Sequence, residues 1–221
     1  MAKQVPLLDD ATRRLAASLR AQLQRLEARR PMHDRLPISS GCQALDHLLP
    51  SGGLVRGSLV ECLEHGAGSG GADTLALIFA RQAALEGGAL VVLDHRRWFY
   101  PPAAAVWGVD LERLLVIRVS QQRDQLWALD QCLRCPAVAA VWTRWEDLDE
   151  HDFRRLQLAV ENGGGVGLLV RPHRFRKRPS WSDLQLLVHP VAPGGKDFRG
   201  GRQIRVEIAR CRHGNSGRTV D

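Results

Sequence analysis

Gly66-Ala-Gly-Ser-Gly-Gly71 keeps the glycine spacing of a phosphate-binding loop, G-x-x-x-x-G-K-[ST], but not the two side chains that do its chemistry. Such a loop gathers phosphate charge with backbone N–H groups, a lysine and a hydroxyl that holds Mg²⁺. Here Ala72 stands at the lysine position and Asp73 at the hydroxyl position. The chain has three lysines, Lys3, Lys177 and Lys196, none near the loop in sequence. A carboxylate placed where phosphate charge would concentrate repels what the loop should attract. The expectation is a phosphate-loop fold with hydrolysis lost, nucleotide affinity weak or absent, and no cofactor.

A second group of residues could bind a polyanion. Arg171, Arg174, Arg176, Lys177 and Arg178 fall within eight residues that contain no acid, with Phe175 among them. Clustered cations with an interleaved aromatic suit a nucleic-acid backbone with base stacking, and Trp181 lies close by. These five cations are the expected DNA-binding residues; a solvated basic loop is the plainer alternative. Cys132-Leu-Arg-Cys135 has the spacing of half a zinc site, but only Cys211 and His213 come near to supplying the other half. The five scattered cysteines read instead as small apolar residues in a reducing compartment. Glu146–Asp152 reads as helix-start chemistry rather than a metal cluster. No metal site is expected, and local context assembles no Ser/His/Asp or Cys/His triad.

The 221 residues suffice for one domain with a substantial core. No apolar run reaches the roughly 18 residues of a membrane span, and Met1-Ala-Lys-Gln-Val-Pro lacks the apolar core of a secretory signal. The chain therefore reads as soluble and cytoplasmic. The net charge of +7 is unevenly placed. Residues 171–221 carry twelve Lys/Arg against four Asp/Glu, or +8, which leaves −1 for residues 1–170. That clustering favours a surface facing a polyanion.

Residues 9–30 read as an amphipathic helix with Leu15, Leu19, Leu23 and Leu26 on one stripe, ended by Pro31. The narrow leucine stripe suits a groove on a partner protein, and packing on the chain's own core is the alternative. Residues 1–35 form this helix and its linker, and 36–221 the core. Within the core, short apolar strands near 58–63, 89–94, 115–119, 137–142 and 166–170 alternate with helices near 72–86, 123–134 and 146–161. This alternation predicts a mainly parallel α/β sheet with helices on both faces. Segments 183–191 and 203–211 alternate like antiparallel edge strands.

Taken together these pieces resemble a RecA-type recombinase core. Ser40-Gly41, Leu45-Asp46, Gly52-Gly53-Leu54, Gly57 and Val60-Glu61 match the RecA lead-in to its nucleotide loop, and Gly108-Val109-Asp110 with Leu114-Leu115 matches a second block. The resemblance implies what has been lost. In RecA proteins the strand after the first helix ends Asp-Ala-Glu-His, and the glutamate activates the attacking water. Here Asp94-His95-Arg96-Arg97 puts Arg96 at that position. The RecA strand that ends in a metal-holding aspartate ends here at Trp142. With Ala72 and Asp73, four contributors to phosphoryl transfer are replaced together.

A basic, lysine-poor RecA-like chain with these losses resembles the ImuA family. Val170-Arg171-Pro172 and the ending Ile208-Ala-Arg-Cys-Arg-His-Gly214 add to the likeness. The resemblance implies a non-catalytic accessory protein of SOS-induced error-prone translesion synthesis, associated with the nucleoid. It implies RecA and an ImuB-like Y-family polymerase homologue as partners, with DNA and a small homo-oligomer as further contacts. Two alternatives stay open: a RecA-type DNA-dependent ATPase with an unconventional site, and a SulA-like division inhibitor. Affinity for Mg·ATP separates the first, and indifference to DNA the second.

Overall fold

The structure, a computed structural model, describes residues 37–49, 51–66, 71–191, 203–212 and 216–221. The expected helix over 9–30, with Leu15, Leu19, Leu23 and Leu26, lies outside these residues, as does the middle of the glycine loop. The described elements run α1 (Gln43–Asp46), β1 (Ser58–Glu64), α2 (Gly71–Ala84), β2 (Ala89–Leu93), α3 (Pro101–Val106), β3 (Leu114–Ile117), α4 (Gln122–Arg134), β4 (Val138–Arg144), α5 (Glu150–Gly163), β5 (Val166–Pro172), β6 (Leu184–Pro190), β7 (Ile204–Cys211) and β8 (Thr219–Val220). One eight-stranded sheet has the order β3-β2-β4-β5-β1-β6-β7-β8. The six strands from β3 to β6 form five parallel pairs; β7 and β8 add antiparallel.

The sequence dictates these elements for plain reasons. β1, β2 and nearly all of β4 and β5 are buried on both faces, as continuous apolar runs in a parallel sheet require. One core layer packs α2 and α3 on the sheet through Leu75, Phe79, Ala80 and Ala104. The opposite layer packs α4 and α5 through Leu129, Leu133, Phe153 and Leu156. Asp149 caps α5 by accepting from Asp152 N at 2.7 Å, and Gly164 ends it at φ 72°. The lead-in is structural too. Asp46 accepts from Ser39 Oγ and Ser40 N, both at 2.7 Å, closing the turn before α1. A Cβ on Gly53 would stand 2.4 Å from the carbonyl oxygen of Ile38, the residue bridged to Leu54.

Two expectations change. The sequence reading does not anticipate α3, which starts at the Pro101-Pro102 pair where missing N–H groups cost nothing. Segment 183–191 is not an edge strand: β6 is interior, parallel to β1 on one side and antiparallel to β7 on the other.

The centre of the sheet holds a buried ion pair. Glu61 on β1 is fully buried and accepts from Arg171 Nη1 on β5, itself 2% exposed. The other Glu61 oxygen accepts from Ser180 Oγ at 2.6 Å, Ser182 Oγ at 2.9 Å and Gln185 Nε2 at 3.1 Å. The Arg171 guanidinium stacks 4.6 Å from the Phe175 ring and 5.3 Å from Phe153. Arg171 is therefore withdrawn from the expected DNA-binding set, because its charge is consumed inside the fold. Phe175, 3% exposed, is likewise unavailable to stack on a base. Breaking one partner of such a pair leaves a buried charge uncompensated. Arg171→Ala is expected to lower unfolding free energy by about 3–5 kcal/mol, whereas the exposed Arg174→Ala changes it by about 0.5 kcal/mol or less. Urea denaturation of the two variants checks this, and similar midpoints would contradict it.

Candidate functional site

In parallel sheets, ligands gather outside the carboxyl ends of neighbouring strands whose connections leave toward opposite faces. Here that place lies between β2, which leads into α3, and β4, which leads into α5. A cavity of about 280 Å³ sits there. Asp73, Thr74 and Leu77 of α2, Leu93–Arg96, Trp98–Tyr100, Ala103 and Ala104 of α3, Trp107, and Trp142 and Arg144 of β4 line it. Asp73 of the degenerate loop and both lost RecA positions, Arg96 and Trp142, are thus brought to one neighbourhood.

At the floor, side chains of this chain occupy one another. Arg144 donates from Nη2 to Glu64 Oε2 at 2.5 Å and pairs through Nη1 with Asp73 Oδ2 at 3.1 Å. Ala72, at the lysine position, is completely buried. Asp73 Oδ1 is buried without a hydrogen-bond partner, and so is Trp142 Nε1. Burial pushes the Asp73 carboxyl up to about 6; Arg144 pulls it back and Glu64 pushes it further. One guanidinium shared by two carboxylates leaves Asp73 incompletely compensated. Among the described residues, the Arg144 guanidinium at this floor is shared by the two carboxylates.

The wall is held by Asp94, kept from the RecA pattern and buried. It accepts from Trp98 N at 2.9 Å, Phe99 N at 3.0 Å and Arg118 Nε at 3.3 Å, pinning a loop in which Arg97 adopts φ 58°. Arg96, at the general-base position, instead pairs with Glu146 and lies 4.8 Å from the Trp98 ring. Trp142 packs on Phe99 with centroids 5.6 Å apart. Sequence reasoning missed Glu64, Arg144 and the rim formed by Trp98, Tyr100 and Trp107. The signal for the first two was available. The strand period of two sets Arg144 on the face of Trp142, and Glu64 on the face of Cys62, toward α2.

The basic segment leaves β5 through a short 3₁₀ turn, His173–Phe175. Arg174, Arg176, Lys177 and Arg178 are exposed on it. Arg174 pairs with Glu146 at 3.0 Å, Arg176 with Glu207 at 2.5 Å and Arg178 with Asp147 at 2.9 Å. Such surface pairs contribute little and exchange readily for phosphate. A groove lined by Arg96, Arg144, His173 and Arg174 connects this segment with the cavity. Beside it, the rings of His65 and His189 lie 4.5 Å apart and those of His65 and His173 5.1 Å. Burial, followed by His65 and Arg176, holds His173 below the usual imidazole range.

Elsewhere the candidate ligands are otherwise engaged. Cys132 is buried with its thiol pushed up to about 12, chiefly by desolvation, so it is no thiolate at neutral pH. Asp149, His151 and Asp152 bring ligand atoms within 4.8 Å of one another, but Asp149 is the α5 cap and Asp152 pairs with Arg155 at 3.5 Å. Among the described residues no helix is long and apolar enough to cross a membrane.

Comparison with known proteins agrees with this architecture. The family of the RecA N-terminal domain matches residues 4–142. Protein ImuA of Caulobacter vibrioides (strain NA1000 / CB15N) is 29% identical over 196 residues, covering 81% of this chain and 80% of that protein. RecA of Chlorobium chlorochromatii is 36% identical over 104 residues, which is 47% of this chain but 29% of that RecA. The crystal structure of the RadB recombinase superposes with a TM-score of 0.62 at 16% identity, over 82% of this chain and 93% of that one, and shares its fold.

The raised Asp73 carboxyl has a measurable signature. Between its ordinary value of 3.8 and about 6, the folded chain holds a proton that the unfolded chain has released. Stability therefore falls as pH rises through that window. Relative to Asp73→Asn, the wild-type chain should lose up to about 3 kcal/mol between pH 4 and pH 7. Urea unfolding at both pH values checks this; parallel curves for the two proteins would contradict it.

Proposed function

We propose that this chain, which belongs to the RecA N-terminal domain family and is ImuA-like, is a non-hydrolysing accessory protein of SOS-induced error-prone translesion DNA synthesis. The observation that carries the non-catalytic reading is the Glu64–Arg144–Asp73 ion cluster. Phosphoryl transfer needs a lysine, a metal and a positioned nucleophile around the terminal phosphate. Here the lysine position is a buried methyl group, and the nearest guanidinium is shared by two carboxylates of the same chain. Arg96, at the base position, carries the wrong charge to take a proton from water.

On this reading the fold is retained for what its surface contacts. The likeness to ImuA over most of both chains supports a role beside RecA and an ImuB-like Y-family polymerase homologue. The exposed cations Arg174, Arg176, Lys177 and Arg178, with the groove running from Arg174 to Arg144, support a contact to single-stranded DNA. That contact would be carried mainly by charge, since Phe175 is buried and Arg154 lies over the Trp181 ring at 4.7 Å.

Titration with Mg·ATP should give no micromolar binding and no turnover. Ala72→Lys combined with Asp73→Thr should recover weak binding without turnover, because Arg96 and Trp142 remain. Micromolar affinity or hydrolysis in the wild-type chain would defeat the reading. Single-stranded DNA binding, read by fluorescence anisotropy at low salt, should fall steeply with added salt. It should weaken at least about tenfold when Arg174, Arg176, Lys177 and Arg178 are all changed to Ala, through the loss of about four phosphate contacts. Binding that ignores salt or survives that change would remove DNA from the proposal. Co-purification with the polymerase homologue tests the partner directly.

A further inference from the structure

The cavity at the ends of β2 and β4 is lined by two carboxylates, Asp73 and Asp94, and two guanidiniums, Arg96 and Arg144. Each charged group around it is engaged internally, with one exception. Asp94 is bound by two backbone N–H groups and Arg118, and Arg96 is bound by Glu146. Arg144 bridges Glu64 and Asp73. Among the described residues that line the cavity, Asp73 Oδ1 is the carboxylate oxygen left without a donor. Trp142 is 7% exposed and its Nε1–H has no acceptor. Both atoms are shielded from solvent and belong to residues that line the cavity, and a buried acceptor and a buried donor without partners are costly.

Aromatic rings form the rest of the wall: Trp98, Phe99, Tyr100, Trp107 and Trp142. Trp98 already faces two guanidiniums, Arg96 at 4.8 Å and Arg144 at 5.8 Å. The rim is apolar and open. Trp98, Tyr100 and Trp107 are 50% exposed or more, and Val106 on the same short helix is 86% exposed. Exposed tryptophan and tyrosine around a recess are the usual composition of a protein-binding hot spot.

We infer that this cavity receives an arginine or lysine side chain presented by a partner protein. The inference rests on the reading of the chain as a non-hydrolysing accessory protein, and names the chemistry by which such a partner is held. The basic head would donate to Asp73 Oδ1 while the rings enclose it by cation–π attraction. A backbone carbonyl of the same segment would accept from Trp142 Nε1–H, and its flanking residues would cover Val106 and Trp107. A nucleotide fits poorly because Asp73 repels phosphate. A hard divalent ion would find one open carboxylate oxygen where it needs several. A free amine would leave the aromatic rim uncovered.

The test uses the full chain, ¹⁵N-labelled at tryptophan, titrated at pH 7.5 with blocked Gly-Arg-Gly and Gly-Lys-Gly peptides and with the citrulline counterpart, which keeps the shape without the charge. The Trp142 indole resonance, assigned with Trp142→Phe, should shift with the basic peptides. The citrulline peptide should bind at least tenfold more weakly, and Asp73→Asn should weaken the arginine peptide at least tenfold. Asp73→Asn relieves an uncompensated buried carboxylate, so it is expected to fold. Equal binding of the citrulline peptide would overturn the inference in favour of an uncharged aromatic pocket. A shift produced by Mg²⁺ or Mn²⁺ alone, with none from the peptides, would overturn it in favour of a metal. Silence from every probe would overturn this inference and leave the accessory reading standing. Micromolar Mg·ATP binding at the same resonances would overturn both.

Discussion

The Glu61–Arg171 pair constrains much of the rest of the molecule. Its two charges belong to adjacent strands, β1 and β5, and its remaining acceptor oxygen draws Ser180, Ser182 and Gln185 onto the same point. The pair therefore fixes where β6 enters the sheet and how the basic segment leaves β5. Three arginines press on the ring of Phe175, which anchors that segment from below. A buried pair of this kind adds little net stability compared with a well-packed apolar core. Its value is positional. Glu61 has few low-energy alternatives once desolvated, so the strand order around it is strongly specified.

At the start of α2, the helix that follows β1, charge is handled differently. Glu61 is saturated by four donors, whereas Asp73 has one shared guanidinium and an open oxygen. Both carboxylates are removed from much of the solvent, and burial pushes that of Asp73 above its ordinary range. The contrast separates a structural charge from a candidate binding charge. Groups that fold a chain are satisfied within it; groups that bind something are left with a vacancy.

Much of the fold was legible because parallel strands declare themselves as short apolar runs, and Gly87-Gly88 and Gly163-Gly-Gly165 punctuate the helices between them. α3 was hidden by its length and by two prolines, which read as a break although they serve as a helix start. The site was half legible. Ala72, Asp73, Arg96 and Trp142 could be placed because each sits at a fixed offset in a motif. Arg171 could not be separated from its exposed neighbours, since a run of arginines does not say which one faces a carboxylate 110 positions earlier. Glu64 and Arg144 are 80 residues apart, and only the register of β1, β5 and β4 brings them together.

The position of β1 has a consequence for how the protein is made. Its hydrogen-bonding neighbours, β5 and β6, are supplied by residues 166–172 and 184–190, more than a hundred positions downstream. On the ribosome, Ser58–Glu64 emerges long before either neighbour exists, and waits as an unpaired strand. A segment reading Ser-Leu-Val-Glu-Cys-Leu-Glu would be a hazard for intermolecular pairing if it were wholly apolar. Glu61 and Glu64 give the nascent strand two negative charges while it is exposed. The carboxylates that lock the sheet and close the loop site are thus also charges of the kind that opposes such pairing.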